Sequence, residues 1–242
     1  MIKPIKGILK LVNKKTLSYK TTGVTFEVIE PKDFLFEPGQ FITLMIEGKT
    51  ARAYSICSNV KNLPNLSLAI ETAHDGIGSN HIKNINIGHE LTFIGPSGRL
   101  LLPESLSEIP NYLYFFSTGT GIAPFISLFY KLVDLKYQGR INLFFGVRKE
   151  TDTIFKEELE KFKKEIPNFS FKIFYSKPED SSNTAERITS VLPQMTDKES
   201  LYYICGHPLM VDEVIKGLIG NGIEDKNILK EEFTRPKQTG TV

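Results

Sequence analysis

The chain has 242 residues, a length that suits two domains of roughly a hundred residues each. Hydrophobic residues make up 40% and charged residues 24% of the sequence, close to the averages of globular proteins, which excludes a disordered or fibrous chain. The net charge of +2 is too small, and the lysines are too scattered among glutamates, for a nucleic-acid-binding protein.

The first half of the chain, residues 5–103, consists of short apolar or alternating segments separated by turn residues. These segments are GVTFEVIE, QFITLMIEG, ARAYSICS, LSLAIETA and HELTFIGP. Short strands at this spacing are typical of an antiparallel barrel or sandwich. Between two of them, after HDGIG, Ser79 is a candidate N-cap, and the segment SNHIKNI predicts a short inserted helix.

From about residue 111 the pattern changes to buried strands that alternate with amphipathic helices. The strands are YLYFF, INLFF, FSFKIFY, LYYIC and NILKEEF. Continuous apolar strands separated by helices are typical of a parallel sheet covered on both faces. We therefore predict two domains, an antiparallel β-barrel over residues 1–103 and a doubly wound α/β domain over residues 111–242, connected by LPESLSEIPN.

The stretch TARAYSICS, residues 50–58, places a cation, an aromatic ring and a hydroxyl on one predicted strand. Because side chains alternate along a strand, Arg52 and Tyr54 point to one face, while Ala53 and Ser55 point to the other. A ligand with both a phosphate and an aromatic ring would use this set. On these residues alone, a half-exposed strand with an ordinary surface arginine is the alternative.

Two further segments follow buried strands of the second half. In FFSTGTGIAPF, Gly119 and Gly121 allow a tight turn into a helix, whose N-terminus attracts anions such as a dinucleotide pyrophosphate. Ala123 and Pro124 stand where the dinucleotide fingerprint has its third glycine, so a purely structural turn is the alternative. In YYICGHPLM, Cys205 either contacts a substrate ring at the crevice of the sheet or is a small buried apolar residue.

Taken in order, four motifs resemble those of the ferredoxin–NADP reductase family, across nearly all of the chain. They are R-x-Y-S in the barrel, G-x-x-S before the short helix, G-T-G-x-A-P after a buried strand and C-G-x-P-x-M late in the chain. The resemblance implies a flavoprotein whose barrel holds FAD and whose second domain holds a nicotinamide nucleotide. Hydride would pass from the nicotinamide C4 to the flavin N5.

The same resemblance assigns roles around the flavin. Arg52 would bind a flavin phosphate, Tyr54 would pack on the isoalloxazine ring, and Ser55 would hydrogen-bond near N5. The other residues assigned to the flavin are Ala53, Ile70, Gly78, Ser79 and Phe233. Nine residues follow Phe233, which the family places on the other face of the ring, so packing in the core is an equal alternative for it.

For the nicotinamide nucleotide, the resemblance implies that its pyrophosphate lies at Thr118, Gly119, Thr120 and Gly121. Cys205 and Gly206 would lie beside the nicotinamide, which makes Ser55 and Cys205 the candidate catalytic pair. Arg148 would contact the adenine ribose. Ser176, Lys177 and Arg187 would bind a 2′-phosphate, which favours NADPH. Arg187 also matches NADH-using relatives, so NADH stays open.

The remaining expectations concern partners and compartment. Two widely separated cysteines exclude a disulfide framework, a zinc site and an iron–sulfur cluster, so the redox group must be organic. No apolar run approaches the roughly 18 residues of a membrane span, which favours the cytoplasm. The resemblance implies an electron carrier such as ferredoxin or flavodoxin as partner. A reductase that releases flavin as a substrate and an electron-transfer subunit of a larger enzyme are the alternatives. The sequence indicates no oligomeric state.

Overall fold

A computed structural model describes residues 2–46 and 50–232 and contains two sheets, one in each half of the chain. The strands of the first half alternate buried and exposed positions, as in Phe41–Ile46, where every second side chain enters the core. The elements of this half are β1 (Ile5–Ser18), β2 (Thr21–Glu30), β3 (Phe41–Ile46), β4 (Thr50–Ser55), β5 (Asn65–Glu71), α1 (Ile77–Asn84) and β6 (Glu90–Ser97).

The six strands form an antiparallel sheet in the order β4-β3-β6-β1-β2-β5. A single bridge between Ile56 and Leu68 connects the segment after β4 to β5, so the two ends of the sheet approach each other and the sheet curls into a barrel. Its interior is filled by large apolar side chains such as Phe26 and Phe93, both fully buried. The expected antiparallel barrel is confirmed.

The short helix between strands is present, but the prediction that Ser79 caps it is wrong. Helix α1 begins at Ile77, and its N-cap is Gly76, whose backbone is extended. Ser79 therefore lies inside the first turn. Its hydroxyl donates to the carbonyl oxygen of Glu71 at 3.0 Å instead of accepting from a helix N–H.

The second half forms a five-stranded parallel sheet in the order β11-β10-β7-β8-β9. Its elements are β7 (Tyr112–Thr118), α2 (Ala123–Asp134), β8 (Arg140–Val147), α3 (Lys156–Glu165), β9 (Phe169–Tyr175), β10 (Leu201–Gly206), α4 (Pro208–Gly220) and β11 (Ile228–Glu232). From β7 the chain adds β8 and β9 on one side of the sheet. It then crosses back and adds β10 and β11 on the other side of β7. The sheet is thus doubly wound, as predicted.

Helices cover both faces of this sheet. Helices α2 and α3 pack on the face that also meets the barrel, where Phe115 and Tyr203 stack with their ring centroids 4.8 Å apart. Helix α4 covers the other face together with Ile188–Gln194. Residues Ile188–Gln194 form a 3-10 helix that contains Pro193.

The two halves are joined by direct contacts. The hydroxyl of Ser127 accepts a hydrogen bond from the backbone N–H of Gly39 at 2.8 Å. The ion pair of Lys20 with Asp152, 2.9 Å long, connects the β1–β2 turn to the loop after β8. We keep 1–103 and 111–242 as the proposed domain boundaries. No helix within residues 2–46 and 50–232 is long and apolar enough to cross a membrane.

Candidate functional site

The strand order reverses between β7 and β10, and a crevice at the carboxyl ends of these strands is where doubly wound sheets bind ligands. Thr118 ends β7, and Gly206 ends β10. The two predicted nucleotide segments therefore meet at this point of the sheet. Residues Gly119–Ile122 form a short 3-10 helix that leads directly into α2.

The backbones of these segments lie in contact. A Cβ atom placed on Gly121 would lie 2.2 Å from the carbonyl oxygen of Cys205 and 2.7 Å from the Cα atom of Gly206, so only glycine fits there. The hydroxyl of Thr118 accepts a hydrogen bond from the backbone N–H of His207 at 3.0 Å. The glycine turn after β7 and the end of β10 thus form one continuous surface at the crevice.

On the barrel, the structure brings Arg52, Tyr54 and Gly78 together. A Cβ atom on Gly78 would lie 2.7 Å from the Tyr54 hydroxyl and 3.3 Å from the Arg52 Cγ atom, so the start of α1 packs against both side chains. Burial raises the pKa of Tyr54, and the Arg52 charge offsets part of this rise. A cation, a phenol ring and a helix N-terminus in contact fit a flavin nucleotide, which carries a phosphate or, in FAD, a pyrophosphate, together with an aromatic ring system.

The other residues predicted for the flavin are placed differently. The Ile70 side chain is fully buried in the barrel core, so any contact with a ligand would come from its backbone on the edge strand β5. Ala53 is exposed on the face of β4 opposite Tyr54. The Ser79 hydroxyl already donates to Glu71, which leaves its backbone N–H at the start of α1 for an anion. Phe233 lies outside the described residues.

A half-buried carboxylate connects the barrel to the parallel sheet. The Ser55 hydroxyl donates to Glu231 Oε1 at 3.2 Å, and Glu231 on β11 stands in register with Cys205 on β10. Burial raises the pKa of Glu231 to about 7, and the hydrogen bond from Ser55 limits the rise. The two predicted catalytic residues therefore lie on either side of a carboxyl group that titrates near neutral pH.

Sequence analysis did not single out Glu231. It stands in the ordinary-looking stretch KEEF. What the sequence does show is that Glu231 lies near the end of the last predicted strand, and the carboxyl ends of parallel strands, including the strand with Cys205, meet at one edge of the sheet. Only the pairing of β10 with β11 reveals that this one of two adjacent glutamates reaches Ser55.

Cys205 itself is fully buried. Burial raises the pKa of its thiol well above the usual value, and the nearby Glu231 charge raises it further. Burial therefore favours the protonated form of this thiol. Its small apolar bulk at the end of β10 is compatible with both interpretations of the sequence, a buried residue and a residue beside a ligand ring.

The residues predicted to bind the adenosine half of the nicotinamide nucleotide lie at the carboxyl ends of β8 and β9. The backbone N–H of Ser176 donates to Val147 O at 3.0 Å, and that of Lys177 donates to Arg148 O at 2.8 Å. The N–H of Glu186 donates to Tyr175 O at 2.9 Å, which returns the neighbouring Arg187 to the same edge. The four predicted side chains are exposed there, and those of Arg148, Lys177 and Arg187 form no ion pair with any described residue.

Comparison with known proteins agrees with a chain of two parts, a first half that binds flavin and a second half that binds a nicotinamide nucleotide. Residues 8–101 match the model of an oxidoreductase FAD-binding domain, and residues 115–216 match that of an oxidoreductase NAD-binding domain. The chain belongs to the ferredoxin–NADP reductase family. The resemblance, the two cofactor classes and the assignment as a flavoprotein reductase are thereby confirmed.

Several members of the family are similar along most of this chain. Ferredoxin–NADP reductase B of Sorangium cellulosum is 29% identical over 87% of this chain and 91% of its own length. The toluate 1,2-dioxygenase electron transfer component of Pseudomonas putida is 28% identical over 91% of this chain and 66% of its own. One component of the Na⁺-translocating NADH-quinone reductase of Klebsiella pneumoniae is 31% identical over 78% of this chain and 50% of its own length.

Solved structures show the same architecture. Ferredoxin–NADP⁺ reductase of Plasmodium falciparum has a TM-score of 0.79 and 26% identity, covering 95% of this chain and 96% of its own. A cytochrome P450 reductase of Amycolatopsis has a TM-score of 0.88 at 21% identity, covering 96% of this chain and 71% of its own. At that identity, the second likeness shows the fold alone.

Proposed function

We propose that this reductase oxidises NADPH through tightly held FAD and delivers electrons to a carrier protein of the ferredoxin or flavodoxin type. The observation that carries the proposal is the junction of Ser55, Glu231 and Cys205, where the flavin-binding barrel meets the nucleotide-binding sheet. Bound FAD supplies the redox chemistry, because it accepts a hydride from a nicotinamide and releases electrons singly. The protein contributes binding, orientation and the exclusion of water.

The barrel side of the junction would hold the flavin nucleotide. Arg52 is half-buried, and among residues 2–46 and 50–232 its guanidinium donates one hydrogen bond, to the carbonyl oxygen of Ala51, which leaves its other N–H groups for a phosphate. Tyr54 packs against the barrel core and offers its ring to an aromatic ligand. Gly78 keeps the first turn of α1 close to both side chains, which concentrates the helix N–H groups on the same phosphate.

The sheet side would hold the nicotinamide nucleotide. Residues Thr118 to Gly121 and the start of α2 present backbone N–H groups to its pyrophosphate. Gly206 has no side chain to block the crevice, and buried Cys205 keeps water from the space beside it. These residues orient the nucleotide and shield it.

Glu231 and Ser55 would handle a proton at the junction. With a pKa of about 7, the Glu231 carboxyl group changes protonation state within the physiological range. The Ser55 hydroxyl donates to Glu231 Oε1, so a proton on the carboxyl group resides at Oε2. A ligand atom that donates a hydrogen bond to the Ser55 oxygen would pass a proton to it while the Ser55 hydroxyl proton moves to the ionised Glu231 Oε1.

The preference for NADPH is supported by the cations at the adenosine end. Lys177 and Arg187 are exposed, carry no ion pair with a described residue and flank Ser176, which suits a dianionic 2′-phosphate. NADH is the competing nucleotide, because the Klebsiella pneumoniae quinone reductase is named for it. The ratio of kcat/KM for the two nucleotides decides between them, and a preference for NADH would refute the role of Lys177.

Two alternatives make different predictions. A flavin reductase releases flavin as a product and would lose its colour on dialysis, whereas the phosphate-binding Arg52 and the α1 turn support retention. An electron-transfer subunit is favoured by the toluate dioxygenase component, of which this chain covers 66%. For that alternative, an oxygenase component would accept electrons faster than free ferredoxin or flavodoxin.

We propose the cytoplasm as the compartment, since both cysteines are free thiols.

The direct test is NADPH-dependent reduction of cytochrome c, with added ferredoxin or flavodoxin as the limiting component. The proposal predicts a yellow protein after dialysis and a rate that saturates with one of the two carriers. Reduction of ferricyanide alone, with neither carrier increasing the rate of cytochrome c reduction, would refute the carrier assignment. A colourless protein that reduces free FAD would establish the flavin reductase instead.

A further inference from the structure

Two loops at the adenosine end are joined by one carboxylate that the family motifs do not include. Glu150 lies in the loop after β8, and its Oε2 atom accepts a hydrogen bond from the backbone N–H of Glu179 at 3.0 Å. Its Oε1 atom accepts from Asn183 Nδ2 at 2.7 Å. Both Glu179 and Asn183 belong to the loop after β9. A single side chain thus holds the second loop at two points four residues apart.

The second loop is shaped so that Asn183 reaches this carboxylate. Asp180 Oδ1 accepts from the N–H and the hydroxyl of Ser182 at 2.8 and 2.7 Å, and the Asn183 N–H donates to the Asp180 carbonyl oxygen at 3.0 Å. These bonds form a tight turn over residues 180–183. Beside it, Lys149 forms an ion pair with Glu179.

The position of these contacts connects them to the nucleotide. Ser176 and Lys177 begin the same loop that Glu150 holds at residues 179 and 183, while Arg148 stands two residues before Glu150. Because the Lys149 charge is paired with Glu179, the cations left for a 2′-phosphate are Lys177, Arg148 and Arg187 on either side of the clasp. We use the term adenosine clasp for Lys149, Glu150, Glu179 and Asn183.

We propose that Glu150 is a positioning residue that fixes the loop of residues 176–183 in the conformation that binds the adenosine half of the nicotinamide nucleotide. The proposal rests on the proposed function and extends it, because it assigns affinity for the nucleotide to a residue whose two carboxylate oxygens are both engaged by the protein. Without Glu150, the loop loses its contacts at the Glu179 N–H and at Asn183 but keeps the Lys149–Glu179 ion pair, so residues 180–183 must be ordered when the nucleotide binds. That ordering lowers affinity and leaves the flavin junction unchanged.

The test compares Glu150→Ala with Glu160→Ala, which removes the same charge from an exposed position on α3. Affinity for 2′,5′-ADP, and for ADP as the NADH-type fragment, is measured by calorimetry on the FAD-loaded protein. Glu150→Ala should weaken binding of the preferred fragment about tenfold, the equivalent of one hydrogen bond to a charged group. Glu160→Ala should bind like the wild type. In kinetics, KM for the nucleotide should rise by a similar factor, while kcat with ferricyanide and the flavin content stay the same.

Two further variants distinguish positioning from general destabilisation. Glu150→Gln keeps one acceptor oxygen and should recover part of the affinity. Asn183→Ala should weaken binding by less than Glu150→Ala, and the double variant should bind no more weakly than Glu150→Ala alone, because Asn183 acts through Glu150. Additive losses in the double variant would contradict the clasp.

The outcomes separate this inference from the proposed function. If Glu150→Ala binds 2′,5′-ADP and ADP as the wild type does, the inference is refuted and the reductase assignment stands. A second outcome is that the wild type binds these fragments and the clasp variants bind them more weakly, but neither the wild type nor any variant oxidises NADPH or NADH. In that case the inference stands and the proposed function is refuted. A wild type with no affinity for either fragment would overturn both.

Discussion

Replacing Glu231 by glutamine should stabilise the flavin-free protein above neutral pH. Burial raises the pKa of this carboxyl group from the usual 4.5 to about 7, so the folded state favours the protonated form. The unfolded chain releases this proton near pH 4.5, and ionising the carboxyl group in the folded state therefore costs stability above pH 7. Glutamine mimics the neutral form, because it can still accept the Ser55 hydrogen bond.

The magnitude follows from the difference between the two pKa values. At about 1.4 kcal/mol for each unit of pKa, the gap between 4.5 and about 7 corresponds to about 3 kcal/mol, the upper limit for a group that keeps some contact with water. The Gln variant and the wild type should thus be nearly equal in stability at pH 4.5. The advantage of the variant should grow between pH 5 and 7 and be constant above pH 7.5.

Urea denaturation followed by circular dichroism measures this difference, since the chain has no tryptophan to report by fluorescence. Both proteins are freed of flavin by the same treatment. Glu232→Gln, at the exposed neighbouring position, is the control and should show no such pH-dependent gain. A stability difference between Glu231→Gln and the wild type that is independent of pH, or that favours the wild type at pH 8, would contradict a raised pKa of the Glu231 carboxyl group.

Three substitutions test other contacts. Gly121→Ala places a methyl group 2.2 Å from a backbone carbonyl oxygen at the end of β10, so it should lower both the Tm and the affinity for 2′,5′-ADP, the latter at least tenfold by calorimetry. Gly78→Ala pushes against the Tyr54 hydroxyl at 2.7 Å and should weaken FAD binding about tenfold in a fluorescence titration, whereas Gly220→Ala, which meets open space, should not. Lys20→Met leaves the Asp152 carboxylate, whose side chain is 9% exposed, without its cation. The free energy of unfolding measured by urea denaturation should fall by about 1–3 kcal/mol, and an unchanged midpoint would contradict a structural role for this ion pair.

The parts of the fold that the sequence predicted depend on local pattern. Alternation in the first half and continuous apolar strands in the second were enough for a barrel followed by a doubly wound sheet. The glycine turn at Gly119 and Gly121 was recognisable because a strand-to-helix turn with a close approach requires that residue. The prediction of Ser79 as an N-cap was wrong because its hydroxyl donates to the carbonyl oxygen of Glu71. This contact between a strand and a helix does not follow from any local sequence rule.

The residues that the sequence did not reveal act through tertiary register. Glu231 differs from Glu232 only in the face of β11 on which it stands, and that face is set by pairing with β10. Glu150 resembles any surface glutamate until the loop after β9 folds back over it. Arg52 and Tyr54 could be paired from the sequence because they share one strand, where spacing alone predicts a common face; their role in flavin binding stays a prediction.

If the barrel holds a flavin against a nicotinamide bound by the neighbouring sheet, anaerobic titration of the purified protein with NADPH should reduce that flavin directly. The dialysed protein should keep its yellow colour, and the flavin absorbance should disappear as about one equivalent of nucleotide is added. Retained flavin that stays oxidised in excess NADPH and NADH, or a folded chain with no affinity for FAD or FMN, would contradict this arrangement.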